Sequence, residues 1–117
     1  MHNYKELKIW KEARYLVKDI YILSALFPNS ETYGITSQIR RASVSVPSNI
    51  AEGASRDGYK EFLCFLDIAL GSLFEVETQL ILANDLQYLD DTLFSKVNEK
   101  VNALIKMIVS FKKVIKV

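Results

Sequence analysis

The sequence predicts an all-α protein, an antiparallel, left-handed, up-down-up-down four-helix bundle, and three observations predict it. Gly and Pro are scarce, four and two among 117 residues, too few for the many turns of an all-β fold. Four segments repeat their apolar residues three and four positions apart, the period of a helix face. The connections between them are short, which makes each helix the antiparallel neighbour of the next. A chain of this length suits one core, so residues 1–117 are expected to form a single domain.

The first segment aligns Trp10, Ala13, Val17, Ile20, Ser24 and Phe27 on one stripe. Phe27-Pro28-Asn29-Ser30 then ends it, because Pro28 cannot continue a helix while Asn29 or Ser30 can cap the next. The second segment runs from about Tyr33 to Ala54 with Ile35, Ile39, Ala42, Val46 and Ile50 as its apolar stripe. Pro47 interrupts this stripe by removing the bond to the Ser43 carbonyl, so the helix is expected to kink there or, alternatively, to break. Ser43, Ser45 and Ser48 are placed to satisfy freed backbone groups.

Ser55-Arg56-Asp57-Gly58 forms the second connection, and Asp57 or Gly58 caps a third helix with Glu61 in its first turn. Phe62, Leu66, Ala69, Leu73, Val76, Leu80 and Ala83 keep a four-three alternation along it. The last helix, from about Asp91, does the same with Phe94, Val97, Val101, Leu104, Ile108, Phe111 and Ile115. A sustained 3.5-residue period is the mark of helices crossing at about 20° in left-handed bundles.

The third helix carries more apolar surface than one seam requires. Leu63, Leu70, Phe74 and Ile81 form a second set at helical spacing, and Ile9, Leu16 and Leu23 do so on the first helix. Each set either widens the protomer's own core or buries against another copy. The second possibility makes Leu63, Leu70, Phe74 and Ile81 the candidate oligomer interface. Gly71, costing about 1 kcal/mol relative to Ala in a helix, fits a close helix–helix approach. Cys64 stands in the apolar run Phe62-Leu63-Cys64-Phe65-Leu66 and is expected to be a small buried hydrophobe.

The net charge is +1, which gives no global attraction to nucleic acid or to an anionic membrane. The charges are nevertheless segregated. Residues 59–90 hold Lys60 against Glu61, Asp67, Glu75, Glu77, Asp85 and Asp90, a net of −5, while residues 91–117 hold six Lys against Asp91 and Glu99, a net of +4. Attraction across the hairpin accounts for part of this. In an antiparallel bundle, Lys5, Lys8 and Lys11 also gather near Lys112, Lys113 and Lys116. That end is either a solvated, dipole-compensating cap or a phosphate-binding patch multiplied by oligomerisation. On the second helix, Arg40 and Arg41 are expected to pair with Glu75 and Glu77, with anion binding as the alternative.

The residue types for catalysis are missing from the pattern. The glycines stand singly, no Glu-x-x-His pair is present to hold a di-iron centre, and His2 is placed on a mobile terminus. One Cys and one His make no zinc site of ordinary spacing. No enzyme, no metal and no cofactor is expected. The polar start Met1-His2-Asn3-Tyr4-Lys5-Glu6 and the want of an apolar run near 20 residues point to a cytoplasmic protein with no membrane partner.

The run Tyr33-Gly34-Ile35-Thr36-Ser37-Gln38-Ile39-Arg40-Arg41-Ala42-Ser43-Val44-Ser45-Val46-Pro47-Ser48-Asn49-Ile50-Ala51-Glu52-Gly53 closely resembles the central motif of the bacterial 23S rRNA-intervening-sequence protein family. Glu61-Phe62-Leu63, Ile68-Ala69-Leu70-Gly71-Ser72-Leu73 and Glu75-x-Glu77-Thr78 are similar to it as well, as are Trp10 with Ala13 and Phe27-Pro28. The likeness runs to Leu89. Two departures are local: the second connection has Ser55 and Gly58 where the family often has Gly and then Ser, so the Ser-x-x-Glu capping box towards Glu61 is lost and Asp57 is the substitute.

The resemblance implies a four-helix bundle that assembles into a homopentameric ring. The family name records that some members are encoded inside insertions in rRNA genes. A related group serves diversity-generating retroelements as accessory proteins that bind reverse transcriptase and nucleic acid. Carried over, this makes Arg40, Arg41 and the shared basic end the candidate contacts to RNA or DNA. The two functional expectations are therefore an RNA-associated homo-oligomer and an oligomeric protein–protein scaffold that binds no nucleic acid.

Overall fold

Phe62, Leu66, Ala69, Leu73, Val76, Leu80 and Ala83 are all buried along one edge of a single helix, as their spacing predicts. The computed structural model describes residues 2–115, and among these the regular elements are helical throughout. They are α1 (Lys8–Ser24), α2 (Ile35–Ala54), α3 (Tyr59–Asp85) and α4 (Asp91–Val114), with single 3-10 turns at Tyr4–Glu6 and Asn29–Glu31. The molecule measures 46 × 24 × 20 Å, and α3, with 27 residues at ~1.5 Å each, spans most of its length.

Each helix packs on its chain neighbours, α1 also packs on α4, and the diagonal pairs α1/α3 and α2/α4 do not meet. Along α3 and α4 the pairings fall on one helix as they climb on the other, Glu77 with Asn102 and Asp67 with Lys112. Arg40 reaches Ser24 and Tyr21, Ser45 meets Ser72, Asn102 meets Glu77, and Lys100 meets Asp19.

The expected core stripe of α1 is buried at Ala13, Ile20, Ser24 and Phe27 but not at Trp10 and Val17. Ile9, Ala13, Leu16, Ile20 and Leu23 are buried, whereas Trp10 only packs against the core from the side. The second apolar set on α1 therefore widens the protomer's own core. The same periodicity corrects the reading of Cys64, which is exposed. In a helix Phe62 and Leu66 share the inward edge, and a residue two positions after Phe62 points about 200° away from it.

Helix α2 is continuous through Pro47, so the break does not occur. Polar side chains serve the surrounding backbone: Ser43 Oγ donates to the Arg40 carbonyl at 2.9 Å and Asn49 Nδ2 to the Ser45 carbonyl at 2.8 Å. Neither Asn29 nor Ser30 caps α2. The 3-10 turn consumes them, Gly34 is the N-cap, and Glu31 Oε1 accepts from the Ile35 N–H at 3.4 Å. Asp57 likewise makes no cap; Gly58 precedes α3 with no side-chain bond. The α4 start is capped conventionally, Asp90 accepting from the Leu93 N–H at 2.7 Å.

Two backbone features went unread in the sequence. Gly53, at the end of α2, lies close against α3: a Cβ there would lie 2.7 Å from Phe65 Cβ and 2.9 Å from Phe62 Cδ1. Gln87 holds φ 64°, and the N–H groups of Gln87 and Tyr88 donate to the Asn84 and Ala83 carbonyls. That is a Schellman termination of α3, with Gln in the position usually given to Gly.

Candidate interaction surfaces

The lysines of the basic end are only partly free. Lys8 and Lys106 flank one groove with Ile9, Met107, Phe111 and Val114, so the start of α1 does sit beside the last turns of α4. Lys112, however, is ion-paired with Asp67 of α3. Lys5 has its ammonium 5.9 Å from the Tyr4 ring centroid, and Lys11 and Lys113 are exposed. Lys116 lies outside the described residues. The N-terminal strap is not loose: His2 N–H donates to the Ala54 carbonyl at 2.9 Å, and the imidazole centroid is 5.2 Å from that of Phe62.

The two arginines separate. Arg40 does not pair with Glu75 or Glu77. Its Nε donates to Ser24 Oγ at 2.8 Å, its Nη2 to the Tyr21 carbonyl at 3.4 Å, and its guanidinium lies 4.6 Å from the Tyr21 ring centroid. Antiparallel packing puts the start of α2 level with the end of α1, so this cation meets the negative pole of α1 rather than α3. Arg41 is exposed and, among the described residues, makes no ion pair. It borders a cleft of about 410 Å³ between α2 and α3 with Gln38, Ser45, Ser72, Glu75 and Gln79. Glu77 turns instead to α4, accepting from Asn102 Nδ2 at 2.9 Å.

The four apolar residues proposed for an oligomer interface divide into two pairs. Leu63 and Leu70 are half-buried against the core. Phe74 and Ile81 are 53% and 44% exposed, and Ile68, Leu82 and Leu86 are exposed with them. Gly71 lies within this face, and a Cβ there would meet nothing within 4 Å. No close approach inside the protomer accounts for it.

The outer face of α1 was missed. Tyr15 and Ile22 are 57% and 62% exposed, among Lys8, Lys11, Arg14 and Lys18, all exposed. The signal was available, since Tyr15/Ile22 and Lys11/Lys18 are each seven residues apart. It was obscured because Ile9, Leu16 and Leu23, one position removed, drew attention to the opposite side.

These features define a helical protein whose α1 and α3 carry exposed apolar side chains. Among the described residues no group of three His, Cys, Asp or Glu side chains could hold a metal ion, and no helix is long and apolar enough to cross a membrane. The model of the 23S rRNA-intervening sequence protein family matches residues 5–110, and the chain belongs to that family. A crystal structure of a protein from Bacteroides thetaiotaomicron, described as of unknown function and from the S23 ribosomal protein family, shares the fold at a TM-score of 0.84. The two are 22% identical over 91% of this chain and 99% of that one. No curated protein matches the chain. Neither the family nor the structural neighbour is described as an enzyme.

Proposed function

We propose that this protein is a non-enzymatic building block that assembles with copies of itself, in a ring of five as the family resemblance implies, and holds RNA by its backbone. The observation that carries self-assembly is the outer face of α3, where Ile68, Phe74, Ile81 and Leu82 stand in water. Fully burying a side chain of this kind is worth roughly 1.5 to 3 kcal/mol. Several half-exposed ones together favour association by more than any surface ion pair in the molecule, at ~0–1 kcal/mol each.

The RNA reading is supported by Lys5, Lys8, Lys11 and Lys113, which make no ion pair among the described residues. Repetition in a ring would multiply a weak single contact. A labelled single-stranded RNA should bind with affinity that drops steeply between about 50 and about 200 mM salt. Glu at Lys5 and Lys113, which lie outside the exposed face of α1, should weaken that binding strongly without changing the particle's mass. Binding indifferent to both salt and these substitutions would refute the backbone contact.

One set of observations favours a protein scaffold instead. The net charge is only +1, Asp67 neutralises Lys112, and Arg40 is committed to α1. On that reading RNA does not bind, and a protein partner co-purifies after nuclease treatment.

A further inference from the structure

Resting on the self-assembly proposed above, we infer that the contact between copies is head to tail, the outer face of α1 in one seating on the outer face of α3 in the next. The two faces lie on opposite sides of the protomer, because α2 and α4 separate α1 from α3. Each is apolar enough to lose water. On α1 the projecting side chains are Tyr15 and Ile22; on α3 they are Ile68, Phe74, Ile81 and Leu82. Gly71 leaves the middle of the α3 face without a side chain and with open space above it, so a helix can approach there.

Charge decides which face meets which. Around Tyr15 and Ile22 the exposed cations Lys8, Lys11, Arg14 and Lys18 outnumber the one exposed acid, Glu12, and Asp19 is already engaged by Lys100 at 2.8 Å. Helix α3 carries Lys60 against Glu61, Asp67, Glu75, Glu77 and Asp85. Pairing α3 with α3 would lay together two faces whose exposed carboxylates, Glu75 and Asp85, find no free cation beyond Lys60, since Lys112 is already paired with Asp67. Pairing α1 with α1 about its midpoint would oppose Arg14 to Lys18. Both symmetric arrangements bring like charges together beside the apolar patch, whereas α1 on α3 brings opposite ones. A contact between two different patches is heterologous, and such contacts generate a ring when the rotation closes.

Charge reversal tests this in the full-length chain, with mass read by light scattering near physiological salt. One variant carries Lys11→Glu and Lys18→Glu, the other Glu75→Lys and Asp85→Lys; all four positions are exposed, and helical circular dichroism checks folding. Each variant alone should fall to the 13.4 kDa protomer. An equal mixture should re-associate to masses above the protomer, because unlike variants fit face to face, although a ring of five cannot alternate them fully and keeps one mismatched contact. Assembly untouched by either variant, loss with the α3 variant only, or a mixture that stays dissociated would each overturn the head-to-tail contact. If the unmodified chain is itself a protomer, the self-assembly reading fails and this inference with it.

Discussion

The Tyr88 hydroxyl donates to Glu31 Oε2 at 2.8 Å across 57 positions of sequence. The other oxygen of the same carboxylate accepts from the first backbone N–H of α2. One side chain thus fastens the turn between α3 and α4 to the start of α2. The hydrogen bond to Glu31, burial, and the carboxylate's charge all hold the Tyr88 phenol above its ordinary pKa. The native state therefore keeps the phenol proton more tightly than the unfolded chain does. The stabilisation this brings is complete below the ordinary phenol value near 10 and is lost as pH rises through the native value. The wild-type Tm should fall more steeply than that of Tyr88→Phe between about pH 9 and about pH 11. Parallel curves would mean that the pair does not couple to folding.

Gly53 and Gly71 should respond oppositely to the same change. Gly53→Ala drives a methyl group into Phe62 and Phe65, an overpacking that costs about 1 to 3 kcal/mol. Gly71→Ala meets nothing in the protomer and gains about 1 kcal/mol of helix propensity. Urea unfolding of the two variants should give midpoints on either side of the wild-type value.

Arg40 is expected to act in stability and not in RNA binding. Arg40→Lys keeps the charge but loses the planar fork that reaches both Ser24 and the Tyr21 carbonyl while lying against the Tyr21 ring. A loss of about 1 to 2 kcal/mol in chemical denaturation is expected, with RNA affinity unchanged. An unchanged stability with reduced affinity would return Arg40 to the nucleic-acid site.

Gln87→Gly should stabilise the protein. A non-glycine residue in the left-handed region costs roughly 1 to 2 kcal/mol, and Gln87 occupies it at φ 64° to close the end of α3. Part of that gain is offset by the greater freedom of glycine in the unfolded chain. A rise in Tm of a few degrees in calorimetry is expected.

The parts of this molecule that were legible in sequence are those written as periodicity. The inward stripes of α2 and α3 were readable residue by residue, because burial along a helix follows spacing. That of α4 was readable at Val97, Val101, Leu104, Ile108 and Ile115, with Phe94 and Phe111 only partly buried at its edges. The stripe of α1 was displaced in part: Ala13, Ile20, Ser24 and Phe27 are buried as read, but Ile9, Leu16 and Leu23 are buried where Trp10 and Val17 were expected, and only packing against α2 and α4 chooses between them. The partner of Arg40 was unreadable for a different reason. Choosing between the negative end of α1 and the carboxylates of α3 requires the rotation of α2, which Ile35, Ile39 and Ala42 fix only once all four helices are packed. Gly53 and Gln87 gave no local signal, since a close approach and a left-handed residue both depend on what lies opposite.

Sedimentation equilibrium over a wide range of protein concentration tests the central claim most directly. The exposed faces of α1 and α3 predict a species of several times 13.4 kDa that persists on dilution and dissociates when Phe74 and Ile81 are both replaced by Glu. A single 13.4 kDa species at every concentration would contradict it.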